Sequence, residues 1–133
     1  MKNKDIENLL TGIKNCEDLR GAKFQYALLK NKKLLISEFE TIHESLKDYE
    51  ARRIELCENL SGQTIAEAKI KGQFTIPNIA LFNERLQAIQ EEFGYTYLMD
   101  QDCEIDLHKI KLESVPDNIT GSQLDGIMLL IED

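Results

Sequence analysis

A chain of 133 residues, 42% apolar and 30% charged, fits one domain with a modest core and excludes a disordered or membrane-spanning protein. Its net charge of −8 is concentrated at one end: residues 100–133 hold two basic and nine acidic side chains, whereas residues 1–60 hold eleven of each. That balance gives a weak field for nucleic acid, and no apolar run approaches the roughly 20 residues needed to span a bilayer.

In chain order, Ile6, Leu9, Leu10 and Ile13 recur at helical spacing and predict a short N-terminal helix. Met1-Lys2-Asn3-Lys4-Asp5 leads into it without a signal-peptide core, so a cytoplasmic setting is expected. The dominant pattern follows. Leu28, Leu35, Phe39, Ile42, Leu46, Tyr49, Leu56 and Leu60 fall three, four or seven residues apart, with an unbroken three-and-four alternation from Leu35 to Tyr49, and predict one long helix over about 21–60, closed by Ser61-Gly62. At 1.5 Å per residue such a helix is about 58 Å long. A compact domain of this size is only about 36 Å across, so the chain is elongated or the helix breaks.

Phe82, Leu86, Ile89 and Phe93 repeat the spacing and predict a helix over 78–93, ended by Gly94. The two segments are expected to form an antiparallel helical hairpin of the coiled-coil class. Between them, Ile70, Phe74 and Ile76 alternate with polar residues, which suggests a strand or small hairpin at a tip spanning 61–77. Beyond Gly94, Tyr95, Tyr97 and Met99 and then Cys103, Ile105 and Leu107 alternate, predicting a β-hairpin over about 95–112 with a phase reset at His108-Lys109. Thr120-x-x-Gln123 fits a capping box opening a C-terminal helix over about 120–132. The fold expected is mainly α with a small β element, a single elongated domain of residues 1–133.

Residues able to carry chemistry are sparse. Asp100, Asp102, Glu104 and Asp106 would share one face of a strand and are the only metal candidates, since hard cations favour clustered oxygens. As a calcium loop they fail, because Ile105 stands where glycine is needed and Lys111 where a bidentate Glu is needed; a solvated strand face that discourages edge pairing explains them better. Cys16, Cys57 and Cys103 lie far apart and read as reduced, packed thiols, and neither His43 nor His108 has a second ligand at a useful interval. No nucleophile motif and no phosphate loop occurs. Neither catalysis nor a cofactor is expected. Arg20, Lys23, Lys30, Lys32 and Lys33, interleaved with Phe24 and Tyr26, form a basic stretch, but five charges on an acidic chain make nucleic acid an unfavoured partner.

The order of segments resembles a family of small proteins encoded by tailed bacteriophages. The resemblance rests on Lys23-Phe24-Gln25-Tyr26-Ala27-Leu28-Leu29-Lys30-Asn31-Lys32-Lys33-Leu34, Phe82-Asn83-Glu84-Arg85-Leu86, Ile105 through Leu112, and Ile119-Thr120 through Leu124, Ile127 and Leu130-Ile131-Glu132. It implies a viral origin and a helical fold, and it transfers no functional residue. With the apolar seam longer than its cover, the expectation is a non-catalytic phage protein in the host cytoplasm or the virion. It would act through protein–protein contacts as a virion component or assembly factor, through Leu28, Leu35, Phe39, Ile42, Leu46, Tyr49 and Leu56. Its partner would be a second copy, giving a homo-oligomer, or a phage or host protein; no membrane is involved. The alternative is an acidic inhibitor of a host nucleic-acid-binding protein of defence or replication, its alternating carboxylates imitating spaced phosphates.

Overall fold

The structure, a computed structural model, describes residues 1–132 and is mainly helical with a small two-stranded parallel sheet. Seven α-helices occur among the described residues: α1 (Ile6–Lys14), α2 (Ala22–Ser45), α3 (Lys47–Ser61), α4 (Ile65–Lys71), α5 (Ile79–Phe93), α6 (Tyr95–Asp100) and α7 (Gly121–Gly126). The strands are β1 (Ile110–Lys111) and β2 (Ile131–Glu132), with Ile110 opposite Ile131 and Lys111 opposite Glu132. The chain forms two compact units, one of 1–42 with 99 onward and one of 43–98. No helix among the described residues is long and apolar enough to cross a membrane.

In the first unit, α1 and α7 approach closely because glycine faces glycine. A Cβ placed on Gly126 would lie 3.0 Å from the Gly12 Cα, and one on Gly12 would collide with the Gly126 carbonyl. The buried apolar side of α1 (Ile6, Leu9 and Ile13) joins Phe24, Leu28 and Leu35 of α2 and Ile127 and Leu130 in the core. Two glutamines fasten the 15–21 connection. Gln25 Nε2 donates to the Cys16 and Leu19 carbonyls at 2.9 and 2.6 Å, and Gln123 Nε2 donates to the Asn15 carbonyl at 2.9 Å. The largest fully buried side chains all belong to this unit, and among them is one polar residue, Asn31. Its side chain serves as a substitute strand: Nδ2 donates to the His108 carbonyl at 2.8 Å, and Oδ1 accepts from the His108 amide at 2.7 Å.

In the second unit, α3 packs on α5. Tyr49 stacks on Tyr95 with centroids 4.6 Å apart and meets Phe93 edge-on at 6.4 Å. The α5 face expected from the sequence is only partly covered, with Ile89 buried and Phe82, Leu86 and Phe93 half-buried.

Four expectations are corrected. The helix expected over 21–60 is two helices, parted at Leu46, whose backbone (φ −103°, ψ 9°) leaves the helical region and whose amide bonds to His43, three residues back, at 3.1 Å. No Pro or Gly marks the break. A straight helix carries a 3.5-residue seam about 20° per heptad off axis, so the side chains from Leu28 to Leu56 cannot all face one partner. Accordingly Leu28 and Leu35 belong to one unit and Tyr49 and Leu56 to the other.

The tip strand is absent: Ile65–Lys71, which includes Ile70, form α4, and Phe74 and Ile76 follow in a stretch without regular structure. Thr64 caps α4 by accepting from the Glu67 amide at 3.2 Å, and the Ala, Glu and Lys content favours helix over the short alternation. The β-hairpin over 95–112 is absent. Residues 95–100 form α6, begun by the Leu98 amide bonding to the Gly94 carbonyl at 3.0 Å, and the five-residue alternation there was too short to distinguish strand from helical turn. The C-terminal helix has the expected capping box at Thr120 and Gln123 but stops at Gly126, where it meets Gly12. The chain then makes one 3₁₀ turn (Met128–Leu130) and enters β2.

Burial raises the thiol pKa at Cys16, Cys57 and Cys103, all of them free. A thiol whose pKa rises on folding stabilises the fold below its ordinary value of 9.0 and loses that contribution as pH climbs through the raised value. Titration with a disulfide reagent at pH 8 is therefore expected to modify the half-buried Cys103 first, with Cys16 and Cys57 reacting only as the protein opens. Equal rates at all three would contradict this packing.

Candidate functional site

Most of the apolar seam is turned into the protein. Leu28, Leu35, Ile42, Leu46, Tyr49 and Leu56 are buried within the chain, and Phe39 alone among the seam residues proposed as partner-binding is exposed, at 36%.

What α3 and α5 do leave open is a groove of about 290 Å³. Leu56 and Ile89 supply its apolar floor, while Arg52, Glu55, Arg85 and Glu92 supply its charge. These four alternate in sign because each helix sends a charged residue to its solvent side roughly every turn. Arg52 and Glu92 form a loose pair at 3.8 Å, and the Arg52 guanidinium lies 6.0 Å from the Phe93 ring centre. Glu55 and Arg85 make no ion pair among the described residues. Next to the groove, the Glu50 carboxylate binds Arg53 with contacts of 2.9 and 3.3 Å and raises the guanidinium pKa further above its ordinary value. Such an array suits recognition of a charged, partly apolar surface. It contains no nucleophile with an adjacent base.

The four acidic candidates of the other unit are not drawn into a cage. Asp100 ends α6 and pairs with Lys4 at 3.2 Å, and Asp102 forms an antiparallel bridge with Lys2, where Cys103 N donates to the Met1 carbonyl at 2.8 Å. Glu104 and Asp106 follow in a stretch without regular structure, and no group of three or more His, Cys, Asp or Glu able to hold a metal occurs among the described residues. Exposure nevertheless alternates as the sequence pattern anticipates. Asp102, Glu104 and Asp106 face solvent, Cys103, Ile105 and Leu107 are half-buried, and the phase shifts at His108-Lys109 before the buried Ile110.

Sequence reasoning missed two features. Asn31 lies inside a helical stretch, where an amide on the core side of an amphipathic helix signals a buried hydrogen-bond duty. Thr64-x-x-Glu67 carried a helix-start signature within a segment read as a strand. No family model, no curated protein and no solved structure matches the chain.

Proposed function

We propose that the chain is a non-catalytic protein that acts through protein–protein contact and self-associates through the α3–α5 groove. The observation that carries this reading is the groove itself. An arginine and a glutamate without ion-pair partners, Arg85 and Glu55, flank an apolar floor, so the same surface on a second copy offers the complementary charges. In this reading α3 and α5 are an antiparallel pair, supported by contacts that run in opposite order along them, from Tyr49 with Phe93 to the end of the groove at Asn59 and Arg85. The half-buried Phe82, Leu86 and Phe93 add apolar surface that a neighbour would cover. A tailed-phage origin, as a virion component or assembly factor, rests on the resemblance in the order of segments.

Sedimentation across a concentration series tests the proposal. Arg85→Glu and Glu55→Arg should each weaken self-association about tenfold or more, and the double exchange should restore it. A monomer at every concentration, or a double variant no better than the singles, refutes it.

A second reading is favoured by the alternating exposure of Asp102, Glu104 and Asp106: an acidic strand-like segment that occupies the nucleic-acid surface of a basic host protein. Capture of such a protein should weaken steeply between 50 and 300 mM salt, on the order of tenfold or more, because exposed charges are screened within a Debye length. Retention independent of salt would eliminate this reading.

A further inference from the structure

The first unit contains a second cavity, of about 320 Å³, between the opening turns of α2 and the segment around β1. Its composition is unlike that of the chain as a whole. Ala27 and Ile110, both buried, line it with apolar surface; Tyr26, 61% exposed, adds an aromatic ring; and among the described residues Lys23, Lys109 and Lys111 set three ammonium groups against one carboxylate, that of Glu132. The net sign is positive in a protein whose total is −8. Lys109 is occupied, since its Nζ donates to the Leu129 carbonyl at 2.6 Å. Among the described residues Lys23 and Lys111 make no ion pair and no side-chain hydrogen bond. Residues 19–37 contain no carboxylate, so the sequence around Lys23 supplies no local counter-charge.

We propose that this cavity binds a small organic phosphate, its phosphoryl group held by Lys23 and Lys111 and its flat apolar body lying on Ala27, Ile110 and the Tyr26 ring. A phosphate monoester carries close to two negative charges at neutral pH and matches two unpaired ammonium groups better than a single carboxylate does. The volume lies in the range that takes a small molecule and exceeds what inorganic phosphate fills, and the buried apolar lining gives the remainder of the ligand a place. The lysines reach the cavity from separated parts of the chain, which explains why the sequence showed a basic stretch and no site. Lys23 comes from α2, and Lys111 from β1, whose neighbour in the sequence is fastened to α2 through Asn31 and His108. The inference is independent of self-association.

Titration calorimetry of the full chain at low salt, with AMP, adenosine and inorganic phosphate as probes, tests it. Saturable AMP binding at one site per chain is expected, with adenosine and inorganic phosphate at least about tenfold weaker. Lys23→Gln and Lys111→Gln should each weaken AMP about tenfold at unchanged melting temperature, and Lys69→Gln, outside the cavity, should not. Absence of saturation by AMP, equal affinity for adenosine or for inorganic phosphate, or indifference to both lysine substitutions would each overturn the proposal.

Discussion

Gly12→Ala is expected to destabilise the protein by about 3 kcal/mol, lowering the melting temperature by roughly 10 °C, because the added methyl meets backbone that cannot rotate away. The Cβ collides with the Gly126 carbonyl, and relieving it requires α1 and α7 to separate, uncovering Ile127 and the apolar face of α1. Helix propensity runs the other way, favouring alanine over glycine by about 1 kcal/mol. The expected loss therefore represents a larger steric term. Gly121→Ala is the control, since nothing lies within 4 Å of a Cβ there and the residue begins α7. Thermal melts of the two variants side by side decide the matter, and equal melting temperatures would mean that the helices do not touch as described.

Asn31→Ala is expected to cost on the order of 3 kcal/mol. The amide satisfies both backbone groups of His108, at 2.8 and 2.7 Å, from a side chain with no exposed surface. Its removal strips a donor and an acceptor of their partners together, and a small apolar replacement adds a void. Hydrogen exchange gives the specific readout. The His108 amide should exchange at least about tenfold faster in the variant, while amides of α3 and α5 keep their wild-type rates. Asn31→Asp separates the two bonds: it keeps the acceptor for the His108 amide, but turns a carboxylate toward the His108 carbonyl. It should be no more stable than Asn31→Ala. If Asn31→Ala melts like the wild type and leaves His108 protected, the clamp is not a stabilising element.

Both positions show where sequence information ended. The 78–93 pattern, with Phe82, Leu86, Ile89 and Phe93 in phase and Gly94 to stop it, specified a helix and its less exposed side because helical period and terminator agree within one segment. The N-terminal helix and the Thr120–Gln123 capping box were legible for the same reason. The break at Leu46 was not. Nothing local disfavours helix there, and the seam changes partner only once the folded units exist. Nor could a single alternating run reveal its neighbour. Residues 102–107 show the expected in-and-out exposure, yet Glu104–Leu107 join no strand among the described residues, while the short sheet that does form joins Ile110–Lys111 to Ile131–Glu132.

The candidate surfaces divide in the same way. Sequence by itself determined the charge polarity and the largely helical content, because composition and one-dimensional period are properties of the chain. Tertiary structure decided that the apolar seam is mostly buried, that Arg85 and Glu55 share a groove with Arg52 and Glu92, and that Lys23 meets Lys111 around one cavity. Such juxtapositions depend on contacts between residues far apart in sequence, whose partners are fixed by packing and the satisfaction of buried polar groups rather than by local preference.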